Sequence, residues 1–266
     1  MKTIKQVIQS IDEGRSSLEF LPTGFSILDR LLDGGLLKKE VIVIGGSTGI
    51  GKSFFSAQIA YNVARKGFKT AYFSLEISSE MLVSRLLGQL ANIKATKIVS
   101  GELNAIDHEK RIRAQGKLIS VESLMDIYDD MYEYKQIYAA IEQGGYSFVV
   151  IDFIQNVMIQ GMEEYPKLNE ITIGLQKLAK RLDCTILLLS QLSNTVSRDR
   201  KKEELVPEYK GSGSIAMVCD LGFFIVRDYS LNTIDLLLRK NRRGPSGLSF
   251  RYQFQEPGGF IYECPN

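Results

Sequence analysis

At 266 residues, with 33 Lys plus Arg against 31 Asp plus Glu and a net charge of +2, the chain suits one α/β domain with a sizeable core; it lacks the charge of a basic tail or membrane-coating protein. His108 is the only histidine, and Cys184, Cys219 and Cys264 are scattered without a CxxC pair, which excludes an ordinary zinc site and fits a reducing compartment. Met1–Gly14 lacks a signal peptide's apolar centre and no apolar stretch approaches the ~18 residues that span a bilayer, so the expectation is a cytoplasmic protein with no membrane partner.

Residues 3–13 predict a helix with Ile4, Val7, Ile8 and Ile11 on one stripe, followed by a linker at Glu13–Ser17. Such a stripe needs cover, either on its own domain or on a neighbouring subunit. From Thr23 the pattern alternates, with strands expected at 41–45, 70–75, 117–121, 147–152 and 185–190 and helices at 52–66, 78–92, 134–143 and 167–182. Shorter strands follow near 221–227, 232–240, 248–254 and 259–263. The expected fold class is therefore α/β: a mainly parallel central sheet with helices on both faces and an antiparallel C-terminal extension.

Gly46-Ser47-Thr48-Gly49-Ile50-Gly51-Lys52-Ser53 is a complete phosphate-binding loop between a strand and a helix. Its glycines let backbone N–H groups turn towards phosphates at the positive end of the helix. Lys52 can reach the β- and γ-phosphates and the Ser53 hydroxyl can ligate Mg²⁺. The expected ligands are a nucleoside triphosphate, taken as ATP, and Mg²⁺.

Three strand ends add polar groups at the edge where ligands bind in open α/β sheets. Phe148-Val149-Val150-Ile151-Asp152 ends in a carboxylate about 100 residues after the loop, suited to organising the metal. Glu76 follows the strand at 70–75, either as an acid complementing the next helix dipole or as the base that deprotonates water; the second is favoured. Gln191 ends the strand at 185–190, as a γ-phosphate sensor or a simple polar cap.

The loop 193–214 holds Arg198, Arg200, Lys201, Lys202 and Lys210, balanced to +1 overall by its acids, and so reads first as a solvated loop. Gly211 and Gly213 would let its backbone approach phosphates closely. Further on, Leu236–Pro245 is a strand that turns basic. Alternation puts Lys240 and Arg242 on one face and Arg239 with Arg243 on the other. The first pair can serve a neighbour's triphosphate as arginine fingers do, or form a surface patch, or contact a DNA backbone.

Taken in order, these motifs resemble the C-terminal ATPase domain of the DnaB family of replicative helicases, within the RecA-like superfamily. Leu21-Pro22-Thr23-Gly24-Phe25 resembles the family's opening segment, and Ser74-Leu75-Glu76 its glutamate motif, with Arg85 nine positions later. Ile151-Asp152-Phe153-Ile154-Gln155 resembles the IDYLQ box and Ser190-Gln191-Leu192-Ser193 the SQLS motif. Ser212-Gly213-Ser214-Ile215 with Asp220 is similar to SGSI…D, and Lys240-Asn241-Arg242 with Gly244-Pro245 and Gly247 to KxRxGPxG.

The resemblance implies a RecA-like P-loop NTPase over 21–266, preceded at 1–20 by a linker helix that docks on the adjacent subunit. It also implies a hexameric ring, with Lys240 and Arg242 acting in trans and Arg85 at the nucleotide. ATP hydrolysis would drive translocation on single-stranded DNA, with a primase or helicase loader as a further partner. Residues 1–20 do not match the family's collar domain. DLRESG is replaced by Glu208-Tyr209-Lys210-Gly211-Ser212-Gly213, leaving Lys210 and the glycines for DNA, and Asn194 stands where an arginine is usual. The alternatives are a RecA/RadA-like recombination ATPase and a ring-forming loader or regulatory scaffold that unwinds nothing.

Overall fold

The computed structural model describes residues 3–13, 19–191 and 213–264. In chain order the elements are α1 (Ile4–Asp12), β1 (Phe20–Leu21), α2 (Ser26–Leu31), β2 (Leu36–Leu37), β3 (Val41–Gly46), α3 (Lys52–Arg65), β4 (Thr70–Ser74), α4 (Ser79–Ala91), α5 (Ala95–Ser100) and α6 (Ala105–Ile119). There follow β5 (Met125–Tyr128), α7 (Tyr134–Gly144), β6 (Phe148–Asp152), α8 (Glu164–Leu182), β7 (Thr185–Gln191), α9 (Gly213–Val218), β8 (Leu221–Asp228), β9 (Thr233–Asn241), β10 (Leu248–Gln255) and β11 (Phe260–Glu263).

Among the described residues, nine strands form one sheet in the order β11-β10-β9-β8-β3-β7-β6-β4-β5. From β8 to β5 neighbouring strands run parallel; β8 to β11 pair antiparallel. This is the architecture the sequence predicts. Because strand side chains alternate, β3 sends Ile42 and Ile44 into a core with Phe55, Tyr72, Leu187 and Tyr252, beside α3. Val41 and Val43 enter the opposite core with Phe73, Leu188, Ile171 and Leu175, beside α8. Both faces are buried, which is why the parallel strands read as continuous apolar runs.

One expected strand is absent. Residues 117–119 close α6, whose N-cap Asn104 accepts the Asp107 amide at 2.8 Å. The strand lies instead at Met125–Tyr128, pairing with β4 at the sheet edge. A short apolar run such as Lys117–Val121 fits a helix end as well as a strand. The segment 95–119 folds into α5 and α6, and α6 packs on α4 through Leu87, Ala91, Ile93 and Ala114.

The hairpin of β10 and β11 is part of the main body. The Gln58 side chain of α3 donates to the Ile261 carbonyl at 2.6 Å and accepts the Ile261 amide at 2.9 Å. Gln89 of α4 donates to the carbonyls of Phe54 and Gly259, each at 3.0 Å. By contrast α1, capped by Thr3 and Gln6, buries none of its residues; Ile4, Val7, Ile8 and Ile11 are all exposed. No helix among the described residues is long and apolar enough to cross a membrane.

A candidate nucleotide site at the carboxyl edge of the sheet

The loop 46–53 joins β3 to α3, with Gly51 at the helix N-cap. Gly51 has φ +106°, a conformation that L side chains rarely adopt, so the sharp entry into α3 needs glycine here. Ser47, Thr48 and Gly49 are exposed, Ile50 and Ser53 half-buried, and Gly46 and Lys52 buried. Lys52 Nζ donates to the carbonyls of Gly46 and Ser47, each at 2.8 Å. Burial holds its pKa below the ordinary lysine value, while Asp152 and Glu76 pull it back up. Lys52 is thus a fixed cation at the mouth of the loop.

Parallel pairing brings the predicted strand ends together. Gly46 lies opposite Gln191 and Ser74 opposite Asp152. Glu76, two residues past β4, is exposed at the same edge. Asp152 is buried, and its Oδ2 accepts the Tyr72 hydroxyl at 2.8 Å, with Ser56 Oγ 2.9 Å from that hydroxyl. Burial raises the Asp152 pKa, the Ser53 and Tyr72 hydroxyls lower it, Glu76 raises it and Lys52 lowers it. Among the described residues, its second oxygen, Oδ1, is buried without a hydrogen-bond partner. A buried carboxylate oxygen of this kind, with the Ser53 hydroxyl alongside, is a donor set that fits Mg²⁺. Magnesium is commonly held by one or two carboxylates together with substrate phosphates and water.

Two residues outside the predicted site lock this edge. Gln155, in the turn after β6, donates to Ser190 Oγ at 2.9 Å and accepts the Gln191 amide at 3.4 Å. Asn156 donates to the Leu75 carbonyl at 2.8 Å. Gln155 closes the box that holds Asp152 and Asn156 follows it directly, which was the available signal. Arg85 of α4 stacks on Phe54, its guanidinium carbon 5.2 Å from the ring centroid. Three further groups come from distant positions: Arg227 lies 3.8 Å from the Phe254 ring centroid and 4.7 Å from that of Tyr229, whose hydroxyl donates to the Gly49 carbonyl at 3.3 Å. These flat faces flank the loop where a nucleobase can stack.

Lys240 and Arg242 lie elsewhere. In β9 the register sets Asn241 against Leu221, and Leu221 pairs with Ile42 near the start of β3. The loop begins where β3 ends, about 13 Å beyond Ile42 along the strand at ~3.3 Å per residue. Neither side chain spans that distance. Lys240 Nζ and Arg242 Nη2 donate to the same carbonyl, Met217, at 3.0 and 2.9 Å, so the two share a face as alternation predicts. Arg243 turns away, to the carbonyls of Leu32 and Gly35.

Of the residues expected on DNA, Arg198, Arg200, Lys201, Lys202, Lys210 and Gly211 fall outside the described residues. Gly213, expected in the loop, instead opens α9, with Ser214 beside it. From the turn after β6 into the start of α8, the segment 156–166 exposes Met158, Met162 and Tyr165 and carries Glu163 and Glu164 with no basic residue.

Fold and site together define a RecA-like, phosphate-loop nucleotide-binding domain. The family model described as DnaB-like helicase C terminal domain matches residues 21–257, and the chain belongs to that family. It is 30% identical over 244 residues to the replicative DNA helicase DnaB of Geobacillus stearothermophilus, covering 85% of this chain and 53% of that protein. To the replicative DNA helicase DnaC of Bacillus subtilis it is 30% identical over 258 residues, covering 90% of this chain and 56% of the relative. The chain thus spans about half the length of these relatives. In fold it is similar to a solved DnaB-like replicative helicase described with its interactions with primase, with a TM-score of 0.85 at 24% identity, covering 100% of this chain and 68% of that one. The RadB recombinase shares the fold more distantly, with a TM-score of 0.62 at 16% identity, covering 92% of this chain and 100% of that one.

Proposed function

We propose that this chain is the ATPase motor of a DnaB-type replicative DNA helicase, which hydrolyses ATP at the subunit interfaces of a ring to move along single-stranded DNA and separate a duplex. One observation carries the reading: the phosphate loop with Asp152 and Glu76 lies at one edge of the sheet, and Lys240 with Arg242 at the opposite edge. A complete phosphoryl-transfer site therefore needs two copies of the chain.

In this mechanism the loop amides and Lys52 hold the triphosphate, and Lys52 offsets charge on its β- and γ-oxygens. Ser53 and Asp152 would hold Mg²⁺, which supplies Lewis-acid charge neutralisation when bound. Glu76 accepts a proton from water as the water oxygen bonds to the γ-phosphorus and the bond to ADP breaks. Arg85, Arg227, Tyr229 and Phe254 line the route to the rest of the nucleotide. Gln191, held by Gln155, reports the γ-phosphate to residues 193–214, where Arg198, Arg200, Lys201, Lys202 and Lys210 meet DNA phosphates. Lys240 and Arg242 of the neighbouring copy stabilise the transition-state charge.

The same reading makes residues 1–20 the linker and 21–266 the motor, with α1 laid on a neighbouring copy. The cleft of about 430 Å³ bounded by α4, α6 and β5, whose lining mixes Val83, Leu86 and Ile119 with Arg111, Gln115 and Glu122, is a candidate seat for its stripe. The solved helicase of the same fold is described with a primase, and a primase is a fitting partner here as well.

Strand displacement on forked DNA, with ATP and no other protein, tests the function; sedimentation tests the ring. We expect ATP-dependent unwinding by an oligomer. Mixing Arg242→Ala with Lys52→Ala subunits should restore part of the ATPase, because some interfaces then join an intact loop to an intact finger. An ATPase-active monomer, or an active oligomer that pairs strands without separating them, would overturn the helicase reading.

A further inference from the structure

At the basic edge of the sheet one carboxylate uses both of its oxygens. Asp220 lies between α9 and β8 and is 8% exposed. Its amide donates to the Val41 carbonyl at 2.8 Å, and its Oδ2 accepts the Val41 amide at 2.9 Å. It is thereby fixed to the first residue of β3. Its Oδ1 accepts Arg242 Nη1 at 2.8 Å, while the Asp220 carbonyl accepts the Arg242 amide at 3.0 Å. Arg242 Nη2 meets the Met217 carbonyl. The guanidinium is held by two acceptors, yet nearly half the side chain remains exposed.

Strand geometry contributes to the aim. The β8–β9 register shifts between Gly222 and Phe223, which pair with Lys240 and Leu238, leaving Arg239 as an extra residue. Such a bulge turns the strand locally and redirects the side chains that follow. Bulge, carboxylate and helix-end carbonyl converge on one arginine.

We propose that Asp220 is a positioning residue for Arg242. It orients the guanidinium against β3 before the neighbour's nucleotide arrives, with the Met217 carbonyl as the second stop. The proposal rests on the reading that Arg242 acts across an interface. An arginine on a flexible stem otherwise spreads over many rotamers, and a misplacement of about 1 Å can lower a rate roughly a hundredfold.

The test is a double-mutant cycle in the full chain, reading kcat, KM for ATP and Tm. Asp220→Asn keeps the shape and an acceptor for the Val41 amide but turns an NH₂ group towards Arg242. We expect kcat to fall roughly tenfold with KM for ATP unchanged, since the variant's own phosphate loop is untouched. In an Arg242→Ala background the same change should lower kcat no further. Asp220→Glu keeps the charge but moves it by one methylene, and should lower kcat likewise even where the Asn variant does not fold. A normal kcat in either folded variant overturns the proposal, as does an equal fold-loss with and without Arg242. If Arg242→Ala itself hydrolyses ATP normally, the trans reading fails and this proposal with it. If Arg242→Ala is impaired while the folded Asp220 variants are normal, only this proposal fails.

Discussion

Asn156 donates its side-chain amide to the carbonyl of Leu75 at 2.8 Å, and Leu75 in turn donates its backbone amide to the carbonyl of Asp152, also at 2.8 Å. The residue before Glu76 is thus tied twice to the chain around Asp152. Glu76, exposed and proposed as the base, gains a defined position from this frame. Asn156→Ala should keep ATP affinity and lower kcat roughly tenfold, because the carbonyl that steadies Glu76 loses its donor. Single-turnover hydrolysis beside a nucleotide titration checks it. An unchanged rate would mean that Glu76 is steadied by β4 alone.

Lys52→Ala should abolish hydrolysis, by removing the cation at the mouth of the loop. Glu76→Gln should keep nucleotide binding and lose turnover, because the amide preserves shape without taking a proton. Fluorescent-nucleotide binding and phosphate release separate the two. Loss of binding in the Gln variant would make Glu76 a structural residue.

Glu40, at the start of β3, predicts how stability responds to pH. Burial lifts its pKa from the ordinary 4.5 to about 7, with Arg243 lowering it and Asp220 raising it. The folded chain holds this proton more tightly than the unfolded one. The group's stabilising contribution is complete below 4.5 and is lost as pH rises towards 7. Glu40→Gln removes the titration and should raise stability at pH 8 by on the order of 3 kcal/mol, with little gain near pH 4. Denaturant melts at both pH values check it; an equal gain at both would exclude Glu40 as the source.

Replacing Arg200, Lys201, Lys202 and Lys210 with neutral residues should weaken single-strand binding and flatten its salt dependence, because fewer phosphate contacts release fewer counterions. Fluorescence anisotropy across a salt series reads both effects. An unchanged affinity and slope would move the DNA surface elsewhere. The segment 156–166 would then be a poor second choice, since its acids oppose phosphates.

The carboxyl edge was legible because each of its groups ends an apolar strand, so one residue type at one boundary carries the signal. Gly46–Ser53, Glu76, Asp152 and Gln191 were readable in that way. The strand Met125–Tyr128 was not: an edge strand of half-buried residues has no continuous apolar run, whereas Leu118 and Ile119 imitate one at the end of α6. Arg227, Tyr229 and Phe254 come from segments that meet only through the antiparallel sheet, so no local spacing announces them. The Tyr72 hydroxyl on Asp152 was hidden for another reason. In a buried strand a tyrosine reads as one more apolar residue.

The seam between the C-terminal hairpin and the α3–α4 pair sets a lower limit on how far this domain can be shortened. A side-chain carbon added to Gly258 would fall 2.3 Å from the Gly88 carbonyl oxygen, so two backbones meet there without room for anything else. A fragment stopping after β9 would strip Tyr252, Phe254 and Ile261 from the core, take from Gln58 both of its hydrogen bonds to Ile261 and leave Gln89 only its acceptors in α3. Expression boundaries, affinity tags and fluorescent fusions therefore belong beyond Glu263, and a deletion series approaching from that end should turn insoluble before it turns inactive.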